Sequence, residues 1–493
     1  MIDKTYTYPV FELPDSNLNF LASEHILYDY AHLYGFCSRF KQLLSGYKIT
    51  EKNPLALVSK SSDKLTFVIA ASYLLKIPVL PLNPDLTDAE LNVQIKQAQP
   101  AVFFADQKNR ERLAGHPVLS IPDGAMSILA TGRDIDSPSS DPQREFGTFF
   151  TSGSSGRPKL VPLKRRQILF ATHASAINFK PDPNRYWLLC LPLNHIGGIS
   201  IILRSLLYGS AIFRMDRFDE WQIRNFLSEN RLFQVASLVP TMLIRLLEDP
   251  IFQLHLDFKA LLLGGGPVTE ELIETSLERG IPIVSSYGMT ETCAQISANP
   301  MLQPRGIYFP KKSVGSVFKP NKAEIRDPET GKVLPPNEVG ELWLKGPQVI
   351  DRYRDDTLTR QVFDEDGWFN TGDIGRLNRR NQLFIHTRRT DRIISGGENV
   401  DPVEVEAAIK RVNGVSEAAV TGIPDAEWGQ KVVALVVPDS STSSLTEAEI
   451  LTALKRTLSA FKIPKKICFV ESLPKTSLGK LRRDELPGMV KRK

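Results

Sequence analysis

The chain has 493 residues, of which 42% are hydrophobic and 24% charged, so we expect an ordinary globular protein with two or more domains. Its net charge of +5 is small for this length, although residues 451–493 hold twelve Lys or Arg against three Asp or Glu. Because that stretch has few aromatic residues, it does not favour a nucleic-acid-binding tail. It indicates either a positive electrostatic field that attracts phosphorylated small molecules or a solvated surface.

The sequence predicts no membrane insertion. No window reaches the length of apolar chain that a membrane helix needs, and residues 1–20 contain no apolar segment after their charges, so no signal peptide is expected. Cys37, Cys190, Cys293 and Cys468 show no metal or disulfide spacing. We therefore expect a reduced cytoplasmic protein.

The first stretch that carries chemistry is FFTSGSSGRPKLVPL (149–163), in which an apolar strand leads into small hydroxyl residues, glycines and cations. Backbone N–H groups of such a loop can turn inward around phosphate oxygens. The spacing is not that of GxxxxGK[ST], and Pro158 argues against a helix that begins at Lys159. A flexible surface turn is the alternative, but such turns rarely follow a buried strand directly. The predicted anion-binding residues are Thr151, Ser152, Gly153, Ser154, Ser155, Gly156 and Lys159.

Three later apolar runs are predicted to be buried strands that end in polar motifs. They are 186–193, followed by Asn194 and His195; 258–263, followed by Gly264, Gly265, Gly266 and Pro267; and 281–286, followed by Tyr287 and Gly288. A helix with Thr269 as N-cap and Gly280 beyond its end separates the second and third strands. Such a βαβ unit places its polar motifs at the carboxyl edge of a parallel sheet, where ligands bind in open α/β sheets.

Three charged residues nearer the C-terminus are ambiguous one by one. Asp373, between two glycines, can accept hydrogen bonds from ribose hydroxyls or cap its own turn. Arg388 and Lys480 lie in polar segments, where a solvated side chain is the ordinary interpretation.

A second domain is predicted after about residue 390. Asp401 and Pro402 are typical of a helix start, and Gly414 would end that helix. Two strand-like runs and a helix from about Thr446 follow. The prediction is a domain of residues 1–389 and an α+β domain of residues 390–493.

In their order along the chain, these motifs resemble the adenylate-forming superfamily, which includes acyl-CoA synthetases, luciferases and peptide-synthetase adenylation domains. The resemblance covers about residues 20–485. Six segments carry it: TSGSSGRPK (151–159), YGMTET (287–292), GELWLKGP (340–347), DGWFNTGD (366–373), RRTDRIISGGENVDPVEVE (388–406) and PKTSLGK (474–480). It implies an α/β fold, with a large N-terminal domain of parallel and mixed sheets with packed helices and a small mobile α+β C-terminal domain.

The resemblance also implies a two-step reaction, in which a carboxylate attacks the α-phosphate of ATP and a thiol then displaces AMP from the acyl-adenylate. By this resemblance, the β- and γ-phosphates are held by Thr151 to Gly156 and Lys159, and Mg²⁺ is bound by Glu291 with Thr151. Adenine packs on Tyr287 and Gly288 and is lined by Gly264 to Pro267, and the ribose is held by Asp373 and Arg388. The implied catalytic residues are Lys480, Glu291, Thr290 and His195. A cation such as Lys480 between two approaching anions is the largest help available to such a reaction.

Two positions depart from the superfamily pattern. Thr390 stands where the domain hinge is often Asp or Lys, although a small polar residue can also absorb a rotation. Asn194 stands where an aromatic residue commonly precedes the histidine. His195 therefore either gates the acyl pocket or is a satisfied loop histidine.

The expected partners are a small carboxylic acid, ATP and CoA, with no nucleic acid. CoA is favoured because no carrier-protein domain follows residue 493. The segments 191–210, 286–296 and 394–406 are most similar to the o-succinylbenzoate–CoA ligases of menaquinone synthesis. Arg204, inside an apolar run, could face a second carboxylate of such an acid; an arginine paired elsewhere or reaching solvent is the ordinary alternative.

Three other functions stay open at this point. A ligase for another aryl or medium-chain acid would share all of these motifs. A non-catalytic adenylate-binding protein should have lost Lys480 or Glu291, and both are present. A P-loop kinase would release ADP, and the spacing of the glycine-rich loop speaks against it.

Overall fold

The computed structural model describes residues 6–24, 26–130, 135–151, 158–266, 268–302, 310, 312–387, 393–439, 445–474 and 481–491. The chain divides into two compact units. The first comprises Met1–Pro84, Ala98–Phe149 and Leu160–His386, and the second comprises Asp85–Gln97, Phe150–Lys159 and Thr387–Lys493. Thr390 lies outside the described residues, so the boundary at residue 390 stays a prediction.

Helices and strands alternate through both units. Within the described residues the helices are α1 (Tyr30–Leu44), α2 (Asp63–Leu74), α3 (Asp88–Ala98), α4 (Gln107–Arg112), α5 (Arg165–Phe179), α6 (Ile196–Tyr208), α7 (Glu220–Glu229), α8 (Pro240–Leu247), α9 (Glu270–Glu278), α10 (Asp356–Val362), α11 (Pro402–Ile409), α12 (Glu447–Leu454) and α13 (Leu486–Lys491). The strands are β1 (Asn19–Ala22), β2 (Leu27–Asp29), β3 (Leu55–Val58), β4 (Val79–Pro81), β5 (Val102–Ala105), β6 (Glu145–Thr151), β7 (Lys159–Lys164), β8 (Tyr186–Leu189), β9 (Ala211–Arg214), β10 (Phe233–Leu238), β11 (Ala260–Leu263), β12 (Ile283–Tyr287), β13 (Ser297–Ala298), β14 (Ser316–Val317), β15 (Lys322–Arg326), β16 (Gly340–Lys345), β17 (Phe369–Leu377), β18 (Leu383–Thr387), β19 (Ile393–Ser395), β20 (Glu398–Val400), β21 (Val415–Asp425), β22 (Gly429–Pro438) and β23 (Lys466–Phe469). The expected α/β fold class is confirmed.

The largest sheet of the first unit has nine strands in the order β14-β13-β12-β11-β10-β8-β9-β1-β2. Its centre, from β12 to β1, is parallel, and antiparallel strands extend both edges. The predicted βαβ unit is β11–α9–β12. Thr269 Oγ1 accepts a hydrogen bond from Leu272 N at 3.2 Å, and Gly280 has a left-handed φ of 76° just past the helix. The predicted strand 186–193 is shorter in the structure and ends at Leu189.

Two smaller sheets complete the first unit. One has the order β5-β3-β4-β6-β7 and is parallel from β5 to β6, and the other is β15-β16-β17-β18. A continuous apolar core joins α1, α2, α5 and α6 to strands of all three sheets. Phe67 on α2 is fully buried in it and makes aromatic contacts with Phe20, Tyr28 and Phe36.

The second unit contains the predicted α+β pattern. Asp401 Oδ1 caps α11 by accepting a hydrogen bond from Val403 N at 2.8 Å, and Thr446 caps α12. Strands β21 and β22 pair antiparallel, and β23 joins β22 in parallel. The unit also includes α3, whose Glu90 is 11% exposed and lies 2.7 Å from the ammonium of Lys462.

Two expectations about the whole chain can be compared with the structure. All four cysteines are buried and free. No helix in the described part of the chain has both the length and the apolar character required to cross a membrane.

Candidate active site

The polar motifs that follow β8, β11 and β12 all leave the carboxyl edge of the nine-stranded sheet, because these strands run parallel. Gly264 to Gly266 follow β11, and Gly265 has a φ of 74°, which favours glycine. A Cβ at Gly264 would lie 3.0 Å from Ser286 Oγ on β12. The glycine run therefore crosses close to the end of the next strand, as the sequence predicts for a ligand-binding edge.

Tyr287 and Asp373, which the resemblance assigns to adenine and ribose, are in direct contact. Tyr287, at the end of β12, donates a hydrogen bond from its hydroxyl to Asp373 Oδ2 on β17 at 2.6 Å. Both side chains are buried. The Asp373 carboxylate thus accepts a hydrogen bond from a strand that is distant in sequence.

After Gly288 the chain folds into a tight turn, residues 289–295, which we call the acidic turn. A Cβ at Gly288 would lie 1.5 Å from the carbonyl oxygen of Ala294, so only glycine fits there. Thr290 begins a short 3₁₀ helix, Thr290–Thr292. Cys293 and Ala294 then adopt left-handed φ angles of 54° and 72°, which are unfavourable for residues with a side chain.

Glu291, the predicted metal ligand, is 2% exposed on this turn. Its Oε1 accepts a hydrogen bond from the hydroxyl of Tyr353 at 2.8 Å, and its backbone carbonyl accepts one from Ile350 N at 2.9 Å. No described residue donates to its buried Oε2. A buried carboxylate oxygen without a donor suits a hard cation such as Mg²⁺, which prefers oxygen ligands.

Arg204 lies in α6 and is 3% exposed, so its charged end does not reach solvent. Its guanidinium donates one hydrogen bond, to Gln295 Oε1 at 3.3 Å, and its carbon lies 5.3 Å from the ring centroid of Trp187. Within the described part of the chain no carboxylate pairs with it. Burial lowers the pKa of Arg204, yet an arginine remains charged. The buried Nε2 of Gln295 is likewise without an acceptor among the described residues.

Cys293 cannot serve as the thiol of the second step. It is 2% exposed, and burial raises the pKa of its thiol to about 12. Because the thiolate is the nucleophilic form, this cysteine is inert at neutral pH.

His195 is the N-cap residue of α6, and its Nε2 lies 3.2 Å from Asn194 Nδ2.

Two predicted phosphate-site residues lie in the second unit. Thr151 ends β6, and its buried hydroxyl has no hydrogen-bond partner among the described residues. Lys159 begins β7. The remaining predicted residues lie outside the described part of the chain: Ser152, Gly153, Ser154, Ser155, Gly156, Pro267, Arg388 and Lys480.

Sequence reasoning missed three residues that contact the predicted ones. They are Tyr353, which bonds to Glu291; Gln295, which bonds to Arg204; and Gln348, which bonds to the acidic turn. Gln348 and Tyr353 lie in an irregular stretch just after the GELWLKGP segment. No periodicity marks such a stretch, and the signal that was available is polar residues beside a recognised motif.

Comparisons with known proteins match most of the chain to one family of enzymes. Residues 15–354 match the family model of the AMP-binding enzymes, and residues 404–480 match that of the AMP-binding enzyme C-terminal domain. The chain is 34% identical to a 2-succinylbenzoate–CoA ligase of Enterococcus faecalis, over 98% of this chain and 96% of that one. It is also similar to o-succinylbenzoate CoA synthetase (MenE) of Bacillus subtilis, at 29% identity over 95% of both chains. The TM-score is 0.85 for a double mutant bound to the product analogue OSB-NCoA and 0.69 for the complex with the acyl-adenylate intermediate OSB-AMP.

Proposed function

Because the chain belongs to the AMP-binding enzyme family, we propose that it activates o-succinylbenzoate with ATP and transfers the acyl group to CoA. A carboxylate oxygen of the acid attacks the α-phosphorus of ATP, the bond from that phosphorus to the pyrophosphate breaks, and an acyl-adenylate forms. The CoA sulfur loses its proton and attacks the acyl carbon, and AMP leaves. The product-analogue and acyl-adenylate complexes of the Bacillus subtilis protein support this order.

In this proposal each part of the nucleotide has its own protein residues. Tyr287 packs on adenine beside the Gly264 run, and Asp373, with Arg388, binds the ribose hydroxyls. The pair of Tyr287 and Asp373 supports this assignment, because the hydrogen bond between them orients the carboxylate before ribose arrives. Thr151 and Lys159 hold the β- and γ-phosphates with the loop residues 152–156. Lys480 stands between the acid carboxylate and the α-phosphate, where negative charge gathers.

Glu291 is the protein's ligand for Mg²⁺. The unpartnered Oε2 fits a cation, and Tyr353 holds the other oxygen so that the carboxylate keeps one orientation. The metal would neutralise charge on the ATP phosphates when bound. Thr290 stands beside Glu291 at the start of the same 3₁₀ helix, next to the nucleotide.

Arg204 is the observation that carries the choice of acid. After one carboxylate of o-succinylbenzoate is activated, the other remains charged and needs a partner in a buried site. A buried guanidinium without a carboxylate, next to an amide N–H of Gln295 without an acceptor, offers two donors to such a group. A monocarboxylic acid would leave that positive charge uncompensated.

The proposal places the reaction in the cytoplasm, where ATP and CoA are found. The four free, buried cysteines are consistent with a reducing compartment. It involves no nucleic acid and no membrane partner.

The test is a panel of carboxylic acids incubated with ATP, Mg²⁺ and CoA, with the thioester and AMP detected by mass. We expect o-succinylbenzoate to give the highest kcat/KM. An analogue without the carboxylate that is not activated should react at least tenfold more slowly, since hydrogen bonds to charged groups contribute about 1.5–3 kcal/mol. Equal turnover of that analogue would indicate a ligase for another aryl or medium-chain acid. Nucleotide binding without any thioester would indicate a non-catalytic adenylate-binding protein.

A further inference from the structure

Gln348 is fully buried and spans the acidic turn from outside. Its Nε2 donates hydrogen bonds to the carbonyl oxygens of Thr292, at 2.8 Å, and Gln295. Asn321 holds it from the other side: Asn321 Nδ2 donates to Gln348 Oε1 at 3.3 Å, and Gln348 N donates to Asn321 Oδ1 at 3.1 Å. The side-chain amide of Gln348 therefore has partners on all of its donors and its acceptor.

The two carbonyls that Gln348 contacts flank the left-handed pair Cys293 and Ala294. Because left-handed backbone is unfavourable for residues with a Cβ, the turn persists only where its surroundings hold it. Hydrogen bonds from Cys293 N to Thr290 O and from Ala294 N to Met289 O close the turn from within. Gln348 adds two hydrogen bonds to the turn from a residue that lies outside it.

The turn displays two buried polar atoms that have no partner among the described residues. One is Glu291 Oε2 at its start, and the other is Gln295 Nε2 at its end. In the proposed function, the first binds Mg²⁺ and the second, beside Arg204, binds the acid. The geometry of this single turn therefore sets both the metal ligand and the acid ligand.

We propose that Gln348 is a positioning residue for acyl-adenylate formation, which fixes the acidic turn so that Glu291 and Gln295 are oriented together. It contacts neither reactant and acts through the backbone of Thr292 and Gln295. This inference rests on the proposed function. It predicts that one side chain affects Mg²⁺-dependent nucleotide binding and acid affinity at the same time.

The test compares Gln348→Met and Gln348→Glu with a matched control, Gln167→Met. Both Gln348 variants keep approximate size and remove the two donors. Gln167 is also fully buried, and its Nε2 donates to the carbonyl of Val349 at 3.1 Å, in the same stretch as Gln348 but not on the turn. ATP binding is measured by calorimetry with and without Mg²⁺, and KM and kcat are measured with o-succinylbenzoate.

We expect both Gln348 variants to weaken Mg²⁺-dependent ATP binding about tenfold and to raise the KM for the acid by a similar factor, as happens when residues that orient ligands are removed. ATP binding without Mg²⁺ should change little, and Gln167→Met should change neither quantity. Folded Gln348 variants with the Mg²⁺ dependence of the wild type would overturn the inference. Unfolding of both variants while Gln167→Met folds would also overturn it, because it would show a purely structural role. The calorimetric result needs no acid, so it distinguishes failure of this inference from failure of the proposed acid specificity.

Discussion

Glu291 and Arg204 are both buried, charged and short of partners, which is unusual for side chains in a protein interior. The Glu291 carboxylate accepts one hydrogen bond from the neutral Tyr353, and the Arg204 guanidinium donates one to the neutral Gln295. If such groups served stability alone, each would be expected to pair with a side chain of opposite charge. Their orientation without full pairing is the arrangement expected of residues that complete their interactions with a ligand.

Glu291→Gln should raise the Mg²⁺ concentration needed for half-maximal acyl-adenylate formation by about tenfold or more, since it removes the charge and keeps the size. The measurement is a Mg²⁺ titration of pyrophosphate release. Tyr353→Phe is the comparison variant, because it removes only the donor to Oε1 and should produce a smaller shift in the same direction. An unchanged titration for Glu291→Gln would contradict the assignment.

Arg204→Met should lower kcat/KM for o-succinylbenzoate about 10- to 100-fold, which corresponds to the loss of a hydrogen bond to a charged group. For the analogue without the spare carboxylate, the same substitution should change kcat/KM little. The measurement is kcat/KM for both acids with both proteins. A similar loss for both acids would show that Arg204 supports the fold of the pocket and does not recognise the second carboxylate.

For individual residues, a shared motif in the sequence suggests a role, but it does not indicate which distant residue the side chain contacts. The roles of Glu291, Tyr287 and Asp373 stay predictions from their segments, whereas the hydrogen bond between Tyr287 and Asp373 depends on how β12 and β17 meet in space. Tyr353 and Gln348 could not be predicted, because their role depends on contacts with a turn more than fifty residues earlier in the chain.

At the level of elements, the sequence predicts best where local signals agree. The unit β11–α9–β12 was predicted because Thr269 and Gly280 mark both ends of its helix. The placement of β1 beside β9, and the antiparallel sheet from β15 to β18, were not predicted. These pairings join distant segments, and no local pattern specifies the partner of a strand.

The ion pair between Glu90 on α3 and Lys462 should make the stability of the fold depend on pH. Burial raises the pKa of its carboxyl, but the attraction of Lys462 and hydrogen bonds from Lys462, Ser459 and Thr87 outweigh this, so the net pKa is lowered. A carboxyl with a lowered pKa stabilises the fold above its unfolded pKa, about 4.3 for Glu, and loses this effect as the pH falls through the folded pKa.

Glu90→Gln should therefore lower Tm at pH 7, by about 2–4 °C for each kcal/mol of lost stability. The difference from the wild type should shrink as the pH approaches and passes below 4. Calorimetric scans of the full chain across this range give the measurement. Asp123→Asn is the control, because its pairing with Lys64 is at an exposed site and should have little effect. A Tm difference that does not depend on pH would contradict the ionic explanation.

At the scale of the whole molecule, the two steps make conflicting demands on Lys480. Acyl-adenylate formation needs its charge at the α-phosphate, whereas the CoA sulfur needs open access to the acyl carbon. We infer that residues 390–493 move about a hinge near Thr390 between the steps. Both Lys480 and Thr390 lie outside the described residues, and this inference comes from the sequence and the chemistry.

Lys480→Ala should slow acyl-adenylate formation by orders of magnitude and leave thioester formation from preformed acyl-adenylate largely intact. Thr390→Pro should show the reverse selectivity if the fixed backbone dihedral holds the adenylating arrangement. Each half-reaction is measured in a single turnover. Equal losses of both half-reactions in Lys480→Ala would contradict the two-arrangement account.

In the proposed function, the protein converts o-succinylbenzoate into an enzyme-bound adenylate and then into a CoA thioester. The most direct measurement is a single turnover of the wild-type protein with o-succinylbenzoate, ATP and Mg²⁺, quenched and analysed by mass before and after CoA is added. The account predicts acyl-adenylate and pyrophosphate in amounts equal to the enzyme before CoA, and thioester and AMP in the same amounts afterwards. Release of ADP and phosphate, or the absence of any adenylate of this acid, would contradict it.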